Sequence, residues 1–165
     1  MRTVYICSPY REKDSAELDR HIEYAQALTK QAIEAGLAPI TPHLYMTQCL
    51  NEDKTQERAA GMAAGLALLE KCDFVIAGVK YGISEGMSRE IQTADALGIE
   101  VVNADKLAYK LEYEEKKKED NIWKYVEQHS CDFCIGKLIA CTLCSCKKPI
   151  KRAYKYAKRN MEKER

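Results

Sequence analysis

The stretch from Cys72 to Ile91 reads Cys72-Asp73-Phe74-Val75-Ile76-Ala77-Gly78-Val79-Lys80-Tyr81-Gly82-Ile83-Ser84-Glu85-Gly86-Met87-Ser88-Arg89-Glu90-Ile91, and it decides the fold. Phe74–Val79 is a short apolar run with β-branched residues, closed by Lys80-Tyr81-Gly82. After it, Met87, Ile91 and Ala94 recur at helical spacing over about residues 86–97, and Gly98 ends the pattern. A buried strand, a tight turn and an amphipathic helix follow one another in that order. The same grammar repeats on both sides. Val4–Ser8 is an apolar run closed by Pro9, Ala38–Thr41 is closed by Pro42, and Ile99–Asn103 comes last. Between the first two runs, Leu18, Ile22, Ala25, Leu28, Ala32 and Ile33 form an apolar stripe that stops at Gly36, a residue suited to the left-handed turn after a helix. His21 falls on the polar side of this helix and receives no role.

A further helix over about residues 55–71 carries Ala59, Met62, Ala63, Leu66 and Leu69. Its small residues, Ala59 to Gly61 and Ala63 to Gly65, suit close approach to another backbone, either the sheet or a second subunit, and the sheet is the simpler partner. Strands alternating with helices predict an α/β domain over residues 1–105, with a flavodoxin- or Rossmann-like parallel sheet and flanking helices. Asp73, at the start of its strand, has a structural role. Residues 106–128, including Glu-Tyr-Glu-Glu-Lys-Lys-Lys-Glu-Asp from Glu112 to Asp120, read as a charged helical connector. Residues 129–165 form a Cys-rich module with a basic helical tail.

The chain has 165 residues, 46% hydrophobic and 31% charged, enough for one cored domain and a small appendage. Its net charge of +1 excludes a generic polyanion binder, but the charge is uneven: residues 147–165 carry +7, which leaves −6 on residues 1–146. No apolar run reaches the roughly 18 residues of a membrane span, and residues 1–10 lack the features of a signal peptide. The expectation is a cytoplasmic protein with no membrane partner.

In an open parallel sheet, ligands meet the carboxyl ends of the strands. Three segments with polar residues fall there: Cys7-Ser8-Pro9-Tyr10-Arg11 after the first strand, Pro42-His43-Leu44-Tyr45 after the second, and Gly82–Glu90 after the third. In the last of these, Gly82 and Gly86 permit tight turns, while Ser84, Ser88 and the first helical amides can donate to a phosphate or carboxylate. Glu90 lies one turn into the helix. Two readings of it stand: a carboxylate acting on a developing cation where a sugar–base bond breaks, or a charge that stabilises the helix N-terminus. Arg11 is suited to grip a phosphate, or else it is a surface residue beside Glu12. His43 is either a base-contacting or acid group or part of a structural loop.

These residues carry a resemblance. Tyr5-Ile6-Cys7-Ser8-Pro9-Tyr10-Arg11, Cys72–Ile76 and Gly82–Ile91 resemble the nucleoside 2-deoxyribosyltransferase-like superfamily, which includes 5′-deoxynucleotide N-glycosidases, over roughly residues 3–103. The resemblance implies Glu90 as nucleophile at the anomeric carbon and Tyr5 as the residue that orients it. It also implies Ser84 as a 5′-phosphate ligand, Ser8, Tyr10 and Arg11 in the pocket, no organic cofactor, and a homo-oligomer. The expected activity is cleavage or transfer at the N-glycosidic bond of a nucleoside or nucleoside 5′-monophosphate. The alternative is a non-catalytic module that binds or senses a nucleotide derivative, with the zinc knob and basic tail of residues 129–165 contacting a macromolecular partner. Substrate binding is expected at Ser8, Tyr10, Arg11, His43, Ser84, Gly86 and Ser88.

Five of the eight cysteines crowd into residues 131–146. Cys131-x2-Cys134-x6-Cys141-x2-Cys144 offers two thiolate pairs to one tetrahedral structural zinc, with Cys146 and His129 as spare ligands. An iron–sulfur cluster or unmetallated thiols are the other readings. The basic tail, with Tyr154 and Tyr156, suits a nucleic-acid contact or, more simply, a solvated helix on a zinc-stapled knob.

Overall fold

The computed structural model describes residues 1–12, 14–129, 155, 158 and 159, with only the backbone of 125–129. Two compact units divide the chain, Met1–Ala108 and Tyr109–Arg165. Nine elements make up the described chain: β1 (Thr3–Cys7), α1 (Ser15–Glu34), β2 (Ala38–Ile40), α2 (Met46–Cys49), α3 (Thr55–Leu69), β3 (Phe74–Ala77), α4 (Glu85–Ala96), β4 (Val101–Asn103) and α5 (Leu107–His129). Short 3-10 turns at Pro42–Leu44 and Ala104–Lys106 lead into α2 and α5.

The four strands form one parallel sheet in the order β2-β1-β3-β4. From β1 the chain moves outward to β2, then jumps back across β1 to β3. The strand order therefore reverses at the β1/β3 pair, the position where loops diverge and leave a crevice at the strand carboxyl ends. Tyr5 pairs with Val75 and Cys7 with Ala77 at this junction.

Side chains alternate across the sheet. Tyr5, Cys7 and Val75 point to the face covered by α3 and α4, where they pack with Leu69, Cys72, Met87 and Ala94. On α1, Ala25, Leu28 and Ala32 are buried as the stripe predicts, but Ile33 is 57% exposed and His21 is only 6% exposed. His21 is thus on the inward face, contrary to its expected polar position. The buried positions of α1 are 21, 25, 28 and 32, at steps of four and three, so the imidazole fills the place of a hydrophobic residue in that series. The helix closes as expected, with Gly36 at φ 73° and Leu37 N–H bonded to Ala32 O at 3.0 Å. Gly78 is required by packing, because a Cβ there would lie 2.9 Å from Tyr24 Cε1 and would collide with Leu28.

The small residues of α3 also differ from expectation. Gly65 and Leu69 are the buried positions, whereas Ala59, Ala60, Ala63 and Ala64 are exposed. Close packing on the sheet is confined to Gly65. Asp73 acts structurally: its Oδ2 accepts from Thr3 N–H at 2.6 Å and from Thr3 Oγ1 at 3.1 Å, fastening the start of β1 to β3.

In the second unit, Lys116–Glu112 and Lys110–Glu114 ion pairs of 2.8 and 3.0 Å staple successive turns of α5. The four expected zinc ligands and the tyrosines of the basic tail lie outside the described residues. No helix of the described chain is long and apolar enough to cross a membrane.

Candidate active site

A cavity of about 360 Å³ opens at the carboxyl ends of β1 and β3. Its floor is built from the middle of β1. Tyr5, 1% exposed, lifts its ring between α3 and α4, and its hydroxyl donates to Glu90 Oε1 at 2.6 Å. Ser84 is the N-cap of α4, with Oγ accepting from Met87 N–H at 3.3 Å, and it sets the helix so that Glu90 lies about six residues, or ~9 Å, along the axis. That rise carries the carboxylate back over β1. The expected partnership of Tyr5 and Glu90 is therefore a direct contact.

Burial lifts the carboxyl of Glu90 above the ordinary carboxylate range, while the Cys7 thiol and the Tyr5 hydroxyl, both facing it, oppose the shift. Both donors are themselves held protonated. Burial first, then the nearby Glu90, raises Tyr5 and Cys7 above their usual values. Cys7 Sγ also lies 4.0 Å from Met87 O. A carboxylate held by neutral donors and kept from bulk water is less solvated than a surface glutamate, which favours attack on an electron-poor carbon.

Around the rim, Ser8 and His43 meet: Ser8 Oγ and His43 Nε2 are 3.0 Å apart. Desolvation depresses the His43 imidazole to about 4, so it is neutral near pH 7. Which partner donates follows the imidazole tautomer. Tyr10 tilts against His43 with ring centroids 5.9 Å apart, and Tyr10 O lies 3.4 Å from His21 Nδ1. The misassigned His21 thus supports the loop after β1, and its ring also packs 5.2 Å from Tyr81 in the loop after β3.

Of the expected binding residues, Ser8, Tyr10, Arg11, His43, Ser84 and Gly86 line the cavity together with Tyr5 and Glu90. Ser88 does not. It lies within the first turn of α4 with its backbone N–H on Ser84 O, and its position in the helix turns it away from the lining. Arg11 is at the rim, where its guanidinium sits 3.5 Å from Asp53 across an exposed ion pair. Glu85 is likewise tied to Arg89.

One wall escaped the sequence reading. Met46 and Thr47 from α2, Glu52 from the following loop, and Arg58, Gly61, Met62 and Gly65 from α3 complete the lining. Residues 58, 61, 62 and 65 share one helical face, and this spacing of a cation with small residues was the available signal. Gly65 matters directly, because a Cβ there would lie 3.1 Å from the Tyr5 hydroxyl.

A solved structure titled as a 2-deoxyribosyltransferase from the psychrotolerant bacterium Bacillus psychrosaccharolyticus superposes with a TM-score of 0.46 at 17% identity, covering 61% of this chain and 70% of that one. No curated protein sequence matches. Residues 2–104 match the model of DUF7768, described as a domain of unknown function, and the chain belongs to that family.

Proposed function

We propose that the domain breaks or transfers the N-glycosidic bond of a (deoxy)nucleoside or nucleoside 5′-monophosphate, with Glu90 as nucleophile. The observation that carries this reading is the 2.6 Å hydrogen bond from the buried Tyr5 hydroxyl to Glu90 Oε1 on the cavity floor. A glutamate that served only the helix dipole would need neither the burial nor the buried donor. The resemblance of Gly82–Ile91 to the nucleoside 2-deoxyribosyltransferase-like superfamily supports the same assignment.

In this mechanism a carboxylate oxygen of Glu90 forms a bond to the anomeric carbon as the carbon–nitrogen bond breaks, and that bond's electron pair leaves with the base. The leaving nitrogen is protonated from the rim or solvent. Water or a second base then attacks the same carbon, and the electron pair of the ester bond returns to Glu90. Tyr5 holds the carboxylate in place through both displacements and lowers the cost of its charge when it leaves. Neutral His43, with Ser8, is placed to bond the base edge or to take the proton of an attacking water.

The test is chromatography of free base released from a panel of nucleosides and 5′-monophosphates by the native chain and by Glu90→Gln. Release that falls to background in the variant is the expected result. If nothing is released from any substrate while ribosyl ligands still bind, the site captures its ligand without turning it over.

A further inference from the structure

We propose that Arg58 is the anion ligand of the cavity and makes it select a ribosyl ligand carrying a phosphate monoester over the same ligand without one. The proposal rests on the reading of the cavity as a ribosyl site. Its basis is the pairing of the arginines. Arg11 is tied to Asp53, Arg20 to Glu17 at 3.7 Å, and Arg89 to Glu85. Arg58 is half-buried in the cavity wall, and its guanidinium has no ion pair or hydrogen bond among the described residues. A partly desolvated guanidinium with five donors and no acceptor is an incomplete site, and a planar fork suits phosphate oxygens taken two at a time.

Placement agrees with chemistry. Gly65 abuts the Tyr5 hydroxyl, which bonds Glu90. Arg58 lies seven residues earlier on the same face of α3, about 10 Å along the helix axis toward the strand carboxyl ends. A ligand with its anomeric carbon at Glu90 can therefore extend an anionic end toward Arg58, along a wall kept low by Gly61 and Gly65. The first turn of α4, with Ser84 and Gly86 also on the lining, adds donors at the same end of the fold. Three terminal oxygens on a phosphate can use these sources together, whereas a carboxylate has two. Glu52 lines the cavity as well and opposes a dianion, so its neutralisation should act with the opposite sign to that of Arg58.

The experiment is titration calorimetry of the full chain with ribose 5-phosphate, ribose and inorganic phosphate. None of these has a glycosidic base, so binding is read without turnover. The native protein should bind ribose 5-phosphate at least tenfold tighter than ribose. Arg58→Gln should reduce that preference to about twofold or less, Arg58→Lys should keep part of it, and Glu52→Gln should increase it. Arg20→Gln serves as a charge-matched control and should leave it unchanged. Equal affinity for ribose and ribose 5-phosphate in the native chain overturns the proposal, as does a preference that survives Arg58→Gln or is lost in Arg11→Gln instead. If no sugar binds but inorganic phosphate binds in an Arg58-dependent way, the anion site stands and the ribosyl reading falls; if phosphate fails too, the proposal falls.

Discussion

Replacing His43 by Gln tests the electrostatics of the cavity without assuming any reaction. The imidazole ordinarily titrates near 6.5, and burial depresses it to about 4 in the folded chain. Between those values the unfolded chain binds a proton that the folded chain refuses, so stability falls as pH drops from above 6.5 toward 4 and levels off below. Linkage over the interval from pH 7 to pH 5 gives a loss of about 2 kcal/mol from this one group. Glu90 acts in the opposite sense, because a raised carboxyl pKa makes the folded chain the better proton binder as pH falls through the carboxylate range. Other cavity charges, Arg11, Glu52, Arg58 and Glu85, stay common to both proteins. The comparison therefore isolates His43. Urea unfolding at pH 7, 6 and 5 should show the native chain losing about 2 kcal/mol more than His43→Gln, whose amide can still bond Ser8 but does not titrate. Parallel stability profiles would refute the buried neutral imidazole, and with it the Ser8–His43 couple as drawn.

Gly65→Ala should disturb the floor of the cavity, since the new methyl would lie 3.1 Å from the Tyr5 hydroxyl; a loss of about 1 to 3 kcal/mol in urea unfolding is expected, with base release reduced if Tyr5 positions Glu90. Ser84→Ala removes the cap of α4 and should lower stability by about 1 kcal/mol by thermal unfolding, against a smaller change for Ser88→Ala, which caps nothing. For the Cys-rich segment, elemental analysis should find one zinc per chain, lost together on substituting Cys131 and Cys134 by Ser.

Much of the fold was legible because its elements are locally marked. Strands between proline or glycine stops and the α1 stripe ending at Gly36 each rest on short-range chemistry, and the structure places strands and helices in those segments within a few residues. Other features depended on what lay across the sheet. His21 looked polar because its own helix could not say that Tyr10 O and the Tyr81 ring would close over it. The alanines of α3 looked like a packing face because composition does not reveal which side of a helix meets a sheet, and α2 was too short to carry a periodic signal.

By itself the sequence determined the succession of strands and helices, the loops that bear the polar residues, and Glu90 one turn into its helix. These follow from side-chain period, turn chemistry and helix rise, which act over a few residues. Tertiary structure alone decided that the strand order reverses beside β1, because strand order is a choice among long-range pairings. That reversal brings Tyr5 to within 2.6 Å of a glutamate 85 residues away and turns Arg58 toward the same cavity.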